Sequence, residues 1–135
     1  MRLFAFLFAA LLTVPVVGRC EVNNLTNQEL QELITRGVPV VDVRTPAEWK
    51  ETGVIKGSHL LTFFDERGKY DVEAWMAKFS KIAQPGDQVI LVCRSGNRTG
   101  QITRFLDQKA GYRKVAHLEK GIKSWIATGN PVVRP

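Results

Sequence analysis

The sequence predicts one α/β domain, a central parallel sheet flanked by helices on both faces. Three observations carry that expectation. Short continuous apolar runs mark strands buried on both sides. Helix-start and helix-stop signals fall between those runs. The separations are long enough for helical crossovers between parallel strands. At 135 residues the chain accommodates one such domain and not two. Charged residues at 24% and hydrophobic residues at 44% are ordinary globular values, which excludes wholesale disorder. Two cysteines are too few for a disulfide-framework miniprotein.

The elements follow in order. Arg2, the apolar stretch Leu3 to Leu12, and then Pro15 and Gly18 predict a secretory signal peptide over residues 1–20. A membrane anchor needs about 20 apolar residues; Leu3 to Gly18 is shorter and is broken by Pro15. Arg19 before Cys20 disfavours a lipoprotein. The expectation is a periplasmic domain over 22–135, in an oxidising compartment, with no stable membrane insertion after processing. The formal net charge of +6 falls to +4 without Arg2 and Arg19, and the remaining basic residues alternate with acids. That pattern argues against nucleic acid as a partner and for small anions.

Thr26-Asn27-Gln28-Glu29 is a capping box, and Leu30, Leu33 and Ile34 recur at helical spacing until Gly37. Val38 to Val43 predicts a buried strand. Thr45-Pro46-Ala47-Glu48 starts a short helix that Gly53 ends. Ser58 to Leu61 reads as a short strand, and Asp71 opens a helix with Trp75, Met76 and Phe79 on one face. Gln88 to Val92 is the clearest strand. A helix from Thr99 to Lys109, a strand from Lys114 to Leu118 and a helix from Ile122 to Ala127 complete the chain. No internal repeat, low-complexity segment or linker interrupts it.

Chemistry concentrates in Cys93-Arg94-Ser95-Gly96-Asn97-Arg98, between a strand and a helix. In parallel sheets, sites form beyond the carboxyl ends of strands. There the cysteine faces a helix amino end, where successive N–H groups can curl into an anion nest and Gly96 supplies the needed freedom. Helix polarity and two guanidiniums favour the thiolate, the nucleophilic form. The bland reading, a structural cysteine at a strand end, suits a lone Cys better than one in a doubly basic polar loop. A Cys20–Cys93 disulfide would draw the leader's edge into the pocket.

Three stretches together resemble the single-domain rhodanese (thiosulfate sulfurtransferase) family. They are Val41-Asp42-Val43-Arg44 with Glu48-Trp49 and Gly53 to His59; Cys93 to Arg98 followed by Thr99-Gly100; and Gly111-Tyr112, Val115, Leu118-Glu119, Gly121-Ile122 and Trp125. Length and leader are similar to those of small exported phage-shock-type rhodaneses. The resemblance implies an enzyme in which Cys93 takes a sulfane sulfur from thiosulfate or a similar donor, becomes a persulfide, and passes the sulfur to a thiol or cyanide. A protein sulfur acceptor is a further expectation. One departure is Lys120-Gly121, where the family's closing signature has paired glycines.

Arg94, Ser95, Gly96, Asn97 and Arg98 are the expected donor-binding residues, the two arginines through charge-assisted hydrogen bonds. Asp42 is read as an acceptor for Arg98 or for loop N–H groups, or else as a cap before the next helix. Arg44, at the end of the same strand, is read with it as structural rather than catalytic, and Thr99 is expected to cap the helix after the loop. Trp49, Trp75 and Trp125 read as core. His59 and His117 form no metal cluster, so no metal and no cofactor is expected, and no Cys–His dyad can be inferred. Two other classes compete. Cysteine phosphatases and arsenate reductases place five residues between Cys and Arg, one more than here, leaving this loop tight for a tetrahedral phosphoryl group. A rhodanese-fold binding module without turnover would typically lack the cysteine.

Overall fold

Three helix starts in this chain are written by side chains that accept a backbone N–H three residues ahead. Thr26 accepts from Glu29 at 3.2 Å, Thr45 from Glu48 at 3.4 Å and Asp71 from Ala74 at 3.0 Å. In the computed structural model, which describes residues 23–135, ten elements follow: β1 (Asn23–Leu25), α1 (Asn27–Thr35), β2 (Val40–Asp42), α2 (Pro46–Thr52), β3 (His59–Leu60), α3 (Val72–Phe79), β4 (Val89–Val92), α4 (Asn97–Ala110), β5 (Val115–Leu118) and α5 (Gly121–Ala127). The expected signal peptide and Cys20 lie outside the described residues.

The strands form one sheet in the order β1-β5-β4-β2-β3, with every neighbouring pair parallel. The expected parallel sheet with helices on both faces is thus the architecture observed. Alternation along the strands divides the core in two. Val89, Leu91 and Cys93 join Trp75 and Phe79 of α3 and Ile102 and Leu106 of α4. Ile90 and Val92 join Leu30 of α1 and Ile122 and Trp125 of α5. Cys93 therefore continues the β4 row that faces α4.

Three expectations need correction. Strand β1 has no counterpart in the sequence reading: Asn23 and Asn24 are poor strand formers, and the strand exists because β5 offers it a parallel edge, Asn24 opposite His117. Helix α4 begins at Asn97, not Thr99, because Gly96 takes a left-handed conformation (φ 95°) and acts as N-cap. Thr99 is therefore not the cap. Trp49 is not core. It is half-buried, and its indole N–H donates to Asp42 Oδ1 at 3.1 Å. Among the described residues no helix is long and apolar enough to cross a membrane.

Candidate active site

The loop after β4 is fixed from below by α5. The N–H of Ile122 donates to the Cys93 carbonyl at 2.9 Å, and that of Lys123 to the Arg94 carbonyl at 3.1 Å. The first turn of α5, which has no side-chain cap, thus satisfies the loop's carbonyls. The close approach requires glycine twice. A Cβ on Gly96 would overlap the Glu119 carbonyl, and one on Gly121 would overlap the Arg94 carbonyl; both have positive φ. Lys120, standing where paired glycines were expected, has φ −98° and leaves the turn to Gly121 alone.

Held this way, the loop folds its N–H groups over sulfur. The Gly96 N–H donates to Cys93 Sγ at 3.1 Å. Helix α4 carries no side-chain N-cap, whereas α1, α2 and α3 are all capped. Its first-turn donors, which lack intrahelical acceptors, are left for an anion at the loop. Cys93 is only 1% exposed, as a structural thiol would be, but a structural thiol in an apolar core has no such donors. Arg94, Ser95 and Asn97 are exposed on the loop's rim and Gly96 is buried.

Arg98 departs from expectation. Its guanidinium forks onto Glu48, Nη1 to Oε1 and Nη2 to Oε2, each at 2.8 Å, and so does not bond Asp42. Glu48 reaches it because the capping box of α2 turns that carboxylate toward the loop. The pair shifts both groups. Hydrogen bonding to Arg98 holds the Glu48 carboxyl below its ordinary value despite burial. Hydrogen bonding to Glu48 raises Arg98 above its ordinary value despite burial, and keeps it protonated. Sequence reasoning missed Glu48, although its capping-box spacing and the adjoining Trp49 were both legible.

Asp42 instead serves Arg44. Arg44 is fully buried, and its Nη2 donates to Asp42 Oδ2 at 2.8 Å and to the Gly53 carbonyl at 2.9 Å. Its Nη1 donates to Thr52 Oγ1 at 2.8 Å. Arg44 therefore rivets the end of β2 to the end of α2, the helix that presents Glu48. Neither Asp42 nor Arg44 hydrogen-bonds the loop side chains.

The sequence also left His117 out of the site. Thr99 Oγ1 lies 3.4 Å from Cys93 Sγ and 2.8 Å from His117 Nδ1. His117 Nε2 lies 2.7 Å from Asn24 Oδ1. Parallel pairing of β4 with β5 sets His117 opposite Leu91, on the row that ends in Cys93. That register was the signal available. His59 is exposed on the edge strand. No group of three or more metal-ligating side chains occurs among the described residues.

Residues 26–128 match the family described as the rhodanese-like domain. A thiosulfate sulfurtransferase of Corynebacterium glutamicum is 28% identical over 142 residues, covering 90% of this chain. The chain spans 46% of that relative's length. A rhodanese-related protein of Thermoplasma volcanium, 28% identical, superposes with a TM-score of 0.64 over 84% of this chain and 99% of its own. A Rhodopseudomonas palustris protein of unknown function, described as a possible tyrosine phosphatase, is 25% identical with a TM-score of 0.60, covering 83% of this chain and 85% of its own.

Proposed function

The chain belongs to the rhodanese-like domain family, and from that premise we propose that it is a thiosulfate sulfurtransferase working through a persulfide on Cys93. The observation that carries this reading is the sulfur's setting: it takes the Gly96 N–H at the uncapped amino end of α4. In the first half-reaction the Cys93 thiolate attacks the outer sulfur of thiosulfate, the sulfur–sulfur bond breaks, and sulfite leaves with its electron pair. The loop N–H groups and the helix end then stabilise the negative persulfide. In the second half-reaction an acceptor thiolate or cyanide attacks the terminal sulfur and releases the Cys93 thiolate.

Arg94, exposed on the rim, is the cation left to meet the incoming dianion, since Arg98 is engaged by Glu48. Beside that pair opens a cleft of about 650 Å³, with Phe64, Asp65 and Glu66 in its wall. The acceptors proposed include a thiol carried on a protein. The signal peptide expected over 1–20 supports a periplasmic place of action, where the persulfide would shield the thiol from oxidation. Cell fractionation with N-terminal sequencing tests that placement; a chain still starting at Met1 in the inner membrane contradicts it.

The phosphatase reading is weaker for a specific reason. A phosphatase loop needs its arginine turned onto the phosphoryl oxygens, and here that arginine is held in a bidentate pair outside the loop. Steady-state kinetics with thiosulfate and cyanide decide among the readings. Parallel lines in double-reciprocal plots, abolished by Cys93→Ser, are expected. Turnover surviving Cys93→Ser, or hydrolysis of an aryl phosphate without sulfur transfer, overturns the proposal.

A further inference from the structure

A row of hydrogen-bonding groups runs from the sulfur through the sheet to its far edge: Cys93 at the end of β4, Thr99 in the first turn of α4, His117 on β5 and Asn24 on β1. Its direction follows from elementary donor and acceptor counting. His117 is 5% exposed, and burial pushes its imidazole below the ordinary value of 6.5, so the ring is neutral at neutral pH. A neutral imidazole has one N–H and one bare nitrogen. Asn24 Oδ1 can only accept, so Nε2 carries the hydrogen and Nδ1 is bare. Thr99 then donates to Nδ1 at 2.8 Å in preference to the Gly96 carbonyl at 3.3 Å, which leaves its oxygen free to accept the Cys93 S–H.

We propose that His117 is the proton acceptor for Cys93, acting through the hydroxyl of Thr99, with Asn24 fixing the tautomer. The inference rests on the reading of Cys93 as sulfur carrier and supplies the step that readies it. The thiol S–H bond breaks and its electron pair stays on sulfur. That proton joins Thr99 Oγ1 as the threonine's own proton passes to His117 Nδ1, leaving thiolate and imidazolium. When an acceptor removes the terminal sulfur and the Cys93 thiolate returns, the same two transfers in reverse restore the thiol. His117 touches neither donor nor acceptor and is a positioning residue.

Burial disfavours the imidazolium, so His117 holds the proton only in passing. Glu119, in the turn after β5, favours the imidazolium, while Arg104, from α4, opposes it. Strand β1 presents neutral Asn24, β4 presents Leu91, and α4 brings Gly100 close enough that a Cβ there would lie 3.8 Å from the ring. On this side of the domain a polar cavity of about 490 Å³ has Asn24, Asn97, Arg104 and His117 in its lining. Solvent can thus exchange protons with the ring without passing the thiol.

The test is a titration of thiolate formation by ultraviolet absorbance, taken as the difference from Cys93→Ser and requiring no sulfur donor. Thr99→Val and His117→Gln are each expected to raise the midpoint by about one pH unit, a roughly tenfold loss of thiolate below it. The double variant moves it no further, and Thr99→Ser brings it back toward the parent. Midpoints that coincide in folded variants overturn the proposal. Nitrogen-15 spectra of the parent protein decide it even where a variant fails to fold: the Nε2–H tautomer is expected at neutral pH, and an Nδ1–H tautomer overturns it. Loss of thiosulfate turnover with these shifts intact would sink the sulfurtransferase reading and leave the relay standing.

Discussion

Glu48 and His117 give the site two separate sensitivities to acid, and their signs can be worked out. The carboxyl of Glu48 is held below its ordinary 4.5, so its stabilisation is complete above that value and is lost as pH falls through the lowered one. The imidazole of His117 is held below 6.5, so the unfolded chain binds its proton first and stability declines as pH falls from 6.5. Thermal melts across this range should show two successive losses. His117→Gln removes the upper one and Glu48→Gln the lower, while at neutral pH Glu48→Gln costs about 1 kcal/mol, a typical value for a partly exposed pair. The arginines divide similarly. Arg98→Ala should lower both melting temperature and turnover, whereas Arg94→Ala should raise the KM for thiosulfate and leave the melt in place; equal losses of stability would contradict that division.

Helices α2 and α5 shape the loop without contributing a reacting atom, and each depends on one residue. Gly121 lets α5 press against the Arg94 carbonyl, so Gly121→Ala must both strain a positive φ and push the loop away. Gly68 also has positive φ but nothing within 4 Å of a Cβ, so Gly68→Ala carries only the backbone term, about 1–2 kcal/mol. Urea melts should rank Gly121→Ala clearly below Gly68→Ala, and sulfur transfer should fall only in the former. Arg44 is the rivet of α2. Its side chain and that of Asp42 are both 1% exposed, and removing one partner of a buried pair typically costs about 3–5 kcal/mol. Arg44→Met should lose stability on that scale, read by the same melts, since Asp42 would remain buried without its guanidinium.

Across the whole molecule, what was legible in the sequence is what local chemistry dictates. The capping boxes at Thr26 and Thr45, the apolar run ending at Val92 and the loop from Cys93 to Arg98 each predict their own structure, and they sufficed for the parallel sheet and the place of the thiol. What escaped depends on contacts between distant segments. Strand β1 is made by the edge of β5, not by its asparagines. The Arg98–Glu48 pair spans fifty positions, and His117 meets Thr99 only once β4 and β5 are paired. Asp42 was assigned to the wrong arginine because Arg44 and Arg98 are equally basic on paper, and only folding shows which one is buried beside it. The central claim is that this architecture exists to carry sulfur on Cys93. Intact mass of the purified chain after incubation with thiosulfate tests it most directly. One added sulfur atom, located on Cys93, absent from Cys93→Ser and removed by cyanide, is the predicted result; an unchanged mass, or a sulfur adduct found only on Cys20, would contradict it.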